Sequence, residues 1–326
     1  MRKIILTFSV AAALLLSGGA AHAAKQLRVG MVMTPDHPHV IAMNKFADLV
    51  KAKTNGSVEI KVFPNSQLGN AIAQIQSVKM GTLEAFMDGA GWYGQLVGDY
   101  YIFATPYLMK DIDHTRRVAA SPIADEINAK LIEKHGMRML TLGWLRLARD
   151  VISKKPVKNL ADVQGLKMRV PELTSFAEGW RTLGASPTPV AYSEIYLALQ
   201  QGIVESAELS MDMFFNLKLY EVAKNITLTQ HQAEPGAMIV NERFYKGLTP
   251  AEQKALSEAL KEAGALNDDL IRKDQDRIVA AMKAAGVTFY DINRAEFREK
   301  TKNLPYALEE KGVWTKGLFD KVKKID

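Results

Sequence analysis

Three arginines in the middle of the chain have side chains suited to one class of ligand. Arg146 and Arg149 follow a strand-like run, and Arg169 lies within another. A guanidinium group is always charged, and its planar set of N–H groups matches the two oxygens of a carboxylate. Periodicity alone favours a plainer interpretation, in which Arg146 lies on a solvated strand face and Arg169 shares such a face with Lys167. Both interpretations stand at this point.

The motifs typical of enzymes are weak. Residues 89–94 match the G-x-G-x-x-G pattern, but a dinucleotide site needs a helix to begin there so that its N-terminus can bind the pyrophosphate. Trp92, Tyr93 and Gly98 resist helix formation, which favours a flexible loop. The sequence contains no P-loop, H-E-x-x-H or G-x-S-x-G motif. We therefore predict no catalytic residue and no cofactor.

His37 and His39 are the only closely spaced histidines. Asp36 is the one carboxylate beside them, whereas a metal site needs three or four converging ligands. We interpret the pair as part of an ordinary turn at the N-terminus of a helix, and we predict no metal site.

Strand and helix patterns alternate around these residues. Apolar alternation at 27–31 and 58–62 predicts two strands, and strand-like runs recur at 139–144, 167–170, 203–208, 238–241 and 287–292. Helical patterns lie between them, including one that begins at Asn70 and ends at Gly81 and another over 193–201. This order predicts an α/β fold with largely parallel sheets.

One predicted helix is unusually long. Thr249-Pro250-Ala251-Glu252 has the spacing of a capping box, and helical periodicity continues to Gly286. At ~1.5 Å per residue the helix would be about 50 Å long, which exceeds one small domain. We expect it to cross two lobes.

The first 23 residues have the features of a secretory signal peptide. Arg2 and Lys3 precede an apolar run over 4–16, which is shorter than the about 20 residues that span a bilayer. Ala21-His22-Ala23 then provides the small-x-small pattern of a cleavage site. We predict export to the periplasm and cleavage after Ala23.

Composition excludes other classes of protein. The formal net charge is +6, and removal of Arg2 and Lys3 leaves +4. Basic and acidic residues are interspersed, whereas a nucleic-acid-binding protein concentrates its positive charge on one face. The 326 residues include no cysteine, so buried apolar area must stabilise the fold.

The run Gly165-Leu166-Lys167-Met168-Arg169-Val170-Pro171 resembles the DctP-type substrate-binding proteins of TRAP (tripartite ATP-independent periplasmic) transporters. The resemblance extends over essentially the whole exported chain. Further matching runs occur in the same order at 67–69, 81–83, 105–108, 184–189, 192–202 and 244–245. Many ordered matches are more specific than any single motif.

The resemblance implies a two-lobed fold of the periplasmic-binding-protein type, with mixed sheets flanked by helices and one long helix crossing both lobes. Residues 24–146 with about 235–274 would form lobe I. Residues 147–234 with about 275–326 would form lobe II. The ligand would lie in a cleft between the lobes.

The resemblance also implies the residues of the site. Arg169, in the G-L-K-x-R-V-P run, corresponds to the arginine that makes the main salt bridge to the substrate carboxylate. Arg149 corresponds to a second arginine, and Tyr192 to an aromatic wall.

This chain departs from the family pattern in two places. Many relatives have D-G-Q-E-N where residues 205–209 are Glu-Ser-Ala-Glu-Leu. Leu209 cannot form a side-chain hydrogen bond, so we expect a keto, hydroxy or aromatic acid rather than a heavily hydroxylated sugar acid. The unusual loop at 89–93 is expected to place Asp88 or Trp92 at the cleft.

These observations predict a monomeric extracytoplasmic solute receptor. It would bind a small organic acid anion and deliver it to the small and large integral-membrane subunits of a TRAP transporter, with no nucleic acid as partner. A ligand-presenting sensor module or a periplasmic enzyme on the same fold is the alternative. The lack of a paired acid–base or metal set argues against the enzyme.

Overall fold

A computed structural model describes residues 24–325, so the predicted signal peptide and its cleavage site lie outside the described residues. The strands in chain order are β1 (Lys25–Gly30), β2 (Val58–Phe63), β3 (Ala85–Gly89), β4 (Met137–Trp144), β5 (Arg149–Ser153), β6 (Lys167–Val170), β7 (Ser186–Pro189), β8 (Ser206–Ser210), β9 (Asn225–Gln232), β10 (Gly236–Asn241) and β11 (Thr288–Tyr290).

The strands form two separate mixed sheets. Sheet A has the order β2-β1-β3-β10-β4, and sheet B has the order β11-β9-β5-β8-β6-β7. In sheet A, β10 runs antiparallel to both of its neighbours, as β5 does in sheet B. The mixed sheets are confirmed, but the expectation of largely parallel ones was too strong. Each antiparallel strand enters its sheet directly from the other sheet, without the crossover helix that parallel pairing requires.

The helices cover the sheets. They are α1 (Pro38–Lys53), α2 (Ala71–Met80), α3 (Ile112–Ala119), α4 (Pro122–His135), α5 (Thr174–Leu183), α6 (Ile195–Gln201), α7 (Met211–Asn216), α8 (Glu242–Lys246), α9 (Pro250–Ala284), α10 (Arg294–Thr301), α11 (Leu304–Glu310) and α12 (Leu318–Lys323). None of those between residues 24 and 325 is both long and apolar enough to cross a membrane.

Local signals fixed several helix ends as predicted. The side chain of Asn70 caps α2 by accepting a hydrogen bond from the amide of Ala73, and Gly81 ends the helix with a left-handed φ of 77°. Thr249 and Glu252 form the complete capping box of the 35-residue α9. Propensity and capping therefore agree with the tertiary structure at these positions.

Two chain crossings and α9 connect the sheets. The chain passes from sheet A to sheet B between β4 and β5, and it returns between β9 and β10. At the first crossing, the amide of Leu145 donates to Asp268 of α9 at 3.0 Å, and its carbonyl accepts from Asn267 at 3.0 Å. The same helix pairs with α1 through Lys53–Glu262 at 2.8 Å. Its later part meets α7, which follows a sheet B strand, where Arg277 lies over the ring of Phe215.

The two crossings fall beside two of the predicted lobe boundaries, and the division into lobes remains a prediction. The C-terminal segment also reaches the side of sheet A. The amide of Thr315 donates to Asp99 at 2.6 Å, and Lys321 pairs with Glu126 of α4 at 3.2 Å.

The central strands β3, β5 and β8 are buried along their whole length. They nevertheless carry ionisable side chains, including Asp88, Arg149 and Glu208. A buried charge is costly unless it is paired or hydrogen-bonded. The part of the molecule in which these side chains meet is therefore the first place to look for a functional site.

Candidate ligand-binding site

A cavity lies where the two sheets face each other. Its lining residues are Val32, Asp88, Trp92, Arg146, Arg149, Arg169, Pro171, Leu173, Phe176, Tyr192, Leu209, Met213 and Glu234. The structure thus brings all six predicted site residues to one cavity. Only about 30 Å³ of it is open to a water-sized sphere, which is the room that one water molecule needs, so the cavity is nearly closed.

A larger and more open groove lies on the outer side of sheet A, between β4 and α9. Arg116 and Asp268 in this groove already pair with each other. We assign the site to the smaller cavity, because convergent charged groups and apolar walls mark a specific ligand site better than volume does.

Arg149, at the start of β5, is bound by the protein itself. Its Nε and Nη2 donate to the two carboxylate oxygens of Glu208 at 2.5 and 2.8 Å, and Nη2 also donates to the Glu208 carbonyl at 2.6 Å. Burial acts to raise the pKa of Glu208, but the charge of Arg149 and the hydrogen bond from His231 outweigh it and hold that pKa below its usual value. Only Nη1 of Arg149 has no hydrogen-bond partner among the described residues.

Arg169, near the end of β6, has no comparable ion pair. Its Nε and Nη2 donate to the carbonyl of Val190 at 2.9 and 2.8 Å, and no carboxylate of residues 24–325 lies within ion-pair distance. The side chain is 2% exposed. Burial lowers the pKa of Arg169 to about 10, despite the favourable charge of Glu208 further away. The result is a buried cation that faces a cavity without a neutralising anion.

Arg146 corrects one interpretation of the sequence. Periodicity favoured a solvated strand face for this residue, but it is 6% exposed and lines the cavity. The chain leaves sheet A at Trp144, so Arg146 lies in the crossing between the sheets, where strand alternation does not apply. Its Nη1 donates to Asp88 at 2.8 Å, which places the predicted Asp88 beside an arginine rather than free to face a ligand.

The other predicted residues form the walls. Trp92 and Tyr192 are half-buried, and the Tyr192 hydroxyl is buried without a hydrogen-bond partner among residues 24–325. Leu209 is buried on β8 and contributes an apolar surface, as its replacement of a polar family residue predicted. Phe176 adds a ring over which the Arg149 guanidinium lies at 5.0 Å.

The histidine pair forms a helix cap. His37 precedes α1, and its Nδ1 accepts a hydrogen bond from the amide of His39 at 3.1 Å. Its Nε2 lies 3.1 Å from Asp212 of α7. Over residues 24–325 no three histidine or acidic side chains are arranged to hold a metal ion.

The chain is similar to known proteins over most of its length. The model of a family described as bacterial extracellular solute-binding protein, family 7 (DctP) matches residues 29–311. The chain belongs to this family. A relative in Escherichia coli (strain K12), the 2,3-diketo-L-gulonate-binding periplasmic protein, is 33% identical over 90% of this chain and 92% of its own length.

Solved structures of TRAP periplasmic solute-binding proteins have the same two-lobed fold. The protein from Roseobacter denitrificans with bound β-D-glucuronate has a TM-score of 0.87 and 29% identity, and the match covers 92% of this chain and all of that chain. The protein from Xanthobacter autotrophicus Py2 with bound β-D-galacturonate has a TM-score of 0.85 with the same identity and coverage. The predicted family and fold are both confirmed.

Several residues at the cavity were not predicted. Glu208 lies inside the quoted run at 205–209, but its role as partner of Arg149 depends on the antiparallel register of β5 and β8. Glu234 precedes Pro235 at the second crossing, where no motif marks it. Phe176 and Met213 carry no signal beyond their hydrophobicity.

Proposed function

We propose that this protein is the extracytoplasmic receptor of a TRAP transporter and binds a small organic acid, whose carboxylate pairs with Arg169 in the cleft between two lobes. It would then deliver the acid to the small and large membrane subunits of the transporter. The observation that carries the proposal is the buried, cavity-facing guanidinium of Arg169, which has no anionic partner among the described residues.

The unpaired charge of Arg169 favours an anionic ligand. An isolated buried charge is unfavourable, and an arginine cannot escape the cost by losing its proton near neutral pH. A carboxylate that enters the cavity supplies the missing charge and accepts charge-assisted hydrogen bonds. The relatives compared above are named or solved with organic acids, which supports this class of ligand.

The remaining residues have supporting roles in this proposal. Arg149 offers one further donor while its ion pair with Glu208 keeps it in place. Tyr192 contributes a free hydroxyl, and Trp92 and Leu209 contribute apolar walls. Asp88 fixes Arg146 beside the ligand.

Three further parts of the proposal concern the whole protein. The lobes are residues 24–146 with about 235–274, and 147–234 with about 275–326. The chain acts as a monomer without catalysis, so a bound acid should be recovered unchanged after incubation. The exported form begins at Ala24, which mass spectrometry of the periplasmic protein would test.

A thermal-shift screen with organic acids tests the binding function. A ligand at a hundred times its Kd should stabilise the folded protein by roughly 2.7 kcal/mol. At least one acid should do so, and its neutral amide or ester should not. Equal stabilisation by the neutral analogue would remove the ion pair with Arg169 from the proposal.

Arg138→Lys provides a matched control. Arg138 forms a two-pronged ion pair with Glu242 and does not line the cavity. Ligand stabilisation should persist in this variant and disappear in Arg169→Met. Loss of ligand stabilisation in both variants would contradict a specific role for Arg169.

A further inference from the structure

Glu234 is a buried carboxylate of the cavity that the proposed function does not yet use. It lies at the second crossing between the sheets, lines the cavity, and is 3% exposed. Its Oε1 accepts a hydrogen bond from the amide of Gly91 at 2.8 Å. Among residues 24–325, no donor bonds to its Oε2 and no cation lies within ion-pair distance.

The neighbouring glycines make room for this carboxylate. A Cβ atom at Gly89 would lie 2.3 Å from Oε2 of Glu234, and one at Gly91 would lie 2.4 Å from Cβ of Ala104 and 2.8 Å from Oε1 of Glu234. Neither glycine has the positive φ that would explain its identity by backbone conformation. The sequence suggested a flexible loop here, but the chain forms a 3₁₀ helix over Ala90–Gln95, and the two glycines at its start leave a slot for the Glu234 carboxylate.

Two of the charged side chains that line the cavity have no ion-pair partner, although Glu234 also interacts favourably with Arg146 at longer range. Arg146 is paired with Asp88, and Arg149 is paired with Glu208. Of the charged side chains that line the cavity, Arg169 and Glu234 are the two without an opposite charge within ion-pair distance among the described residues. Burial raises the pKa of Glu234, although Arg146 and Arg149 oppose the effect, so its surroundings do not fully offset a negative charge there.

We propose that Glu234 is a second recognition group, which accepts a hydrogen bond from a hydroxyl or ammonium group of the acid that Arg169 holds by its carboxylate. This inference rests on the proposed function and makes it more specific. The ligand would be a hydroxy or amino acid rather than a plain carboxylic acid. Leu209 lines the same cavity, but its side chain cannot accept this hydrogen bond.

Acids with a common carbon skeleton provide the test. Each set contains one acid without a donor and its hydroxylated or amino counterparts. The first set is propionate, lactate and alanine; the second is succinate, malate and aspartate; the third is hexanoate and D-gluconate. Within the best-bound set, the member with the donor should bind the parent protein about tenfold to a hundredfold more tightly than the member without it, as expected for a hydrogen bond to a charged group. Calorimetric titration measures each affinity.

Two substitutions locate the effect at Glu234. Glu234→Met retains the length of the side chain and removes both oxygens, so the preference for the donor should fall to within about threefold. Glu234→Gln keeps one oxygen, which accepts from Gly91, and turns an NH2 group toward the ligand. A hydroxyl can accept from this group and an ammonium cannot, so the affinity for a hydroxy acid should fall only slightly and that for an amino acid strongly. Glu242→Gln removes a buried, ion-paired carboxylate outside the cavity and should leave the preference unchanged.

The outcomes separate this inference from the proposed function. If the parent protein binds an acid through Arg169 but does not prefer the donor-bearing member, the inference is wrong and the proposed function stands. The same holds if Glu234→Met weakens both members equally. If Glu234→Met does not fold, the affinity of Glu234→Gln for the amino acid relative to the hydroxy acid of the same set decides, and an unchanged ratio contradicts the inference. A parent protein that no acid of the thermal-shift screen stabilises contradicts both proposals.

Discussion

Arg149 and Arg169 occupy neighbouring parts of the same cavity wall, but the protein treats them differently. Both are buried in sheet B, on β5 and β6, which flank β8. Glu208 of β8 holds Arg149 with two hydrogen bonds to its carboxylate, whereas Arg169 has only the carbonyl of Val190. In the proposed function, the paired Arg149 mainly supports the fold and the unpaired Arg169 mainly binds the ligand, so residue type alone does not assign the role.

The largest effect expected from this difference is on stability. Glu208→Gln leaves Arg149 buried without an anion, and removal of one partner of a buried pair costs about 3–5 kcal/mol. Chemical denaturation should show a loss of this order in the unliganded protein. A loss below about 1 kcal/mol would mean that the Arg149–Glu208 pair is not structural.

The two arginines should respond in opposite ways to lysine. Arg169→Lys keeps the charge but loses the planar fork, and should weaken ligand binding by about 2 kcal/mol while leaving the unliganded protein folded and no less stable. Arg149→Lys should lower stability and weaken binding less. Calorimetric titration measures the ligand affinity of both variants, and chemical denaturation measures their stability. If Arg169→Lys binds the ligand as tightly as the parent protein, the proposed role of Arg169 is wrong.

Asp150, beside Arg149 on β5, is a buried carboxyl group that avoids the cost of a buried charge by staying protonated. Burial raises its pKa to about 7, although a hydrogen bond from the amide of Gln230 opposes the shift. The neutral form of Asp150 is therefore favoured in the folded state. Below about pH 4 the carboxyl group is protonated in both the folded and the unfolded chain, and its contribution to stability is complete. This contribution is lost as the pH rises through 7, where the buried group must ionise.

Asp150→Asn should consequently stabilise the protein by about 1 kcal/mol or more at pH 8 and by much less at pH 4. The asparagine oxygen can still accept from Gln230. Thermal unfolding at both pH values measures the difference. A gain of equal size at the two values would show that it does not come from the titration of Asp150.

The smallest effect is expected at the apolar wall. Leu209→Asn introduces a hydrogen-bonding group at the position where relatives carry one, and should shift the relative affinity for hydroxylated acids by about fivefold, within the range of one neutral hydrogen bond. Titration of a hydroxylated and a non-hydroxylated acid measures this ratio. If the ratio does not change, Leu209 does not contact the ligand.

The sequence predicted the elements with strong local signals and missed those that depend on partners far along the chain. The capping box of α9 and the Asn70 cap are local, and both appear as predicted. Strand β3 was missed because it is buried on both faces and so lacks alternation.

The site divides in the same way. The family motif identified Arg169, although periodicity alone paired it with a solvent-facing Lys167: the strand starts at the surface and runs inward, so Lys167 is exposed and Arg169 is buried. Arg146 was misjudged because it follows a strand without belonging to one. Glu234 reaches Gly91 across 143 positions of the chain, and no local pattern encodes that contact.

The anchoring of Leu145 has a mechanical consequence. Both of its main-chain groups are hydrogen-bonded to Asn267 and Asp268, near the middle of the 35-residue α9. The crossing segment therefore cannot swing freely of the helix. If a rotation of one sheet relative to the other bends α9 at this point, a bend of about 10° displaces one end by roughly 4 Å relative to the straight helix, given ~1.5 Å per residue. Such a bend would couple a small angular change beside the cavity to a larger displacement at the end of the helix.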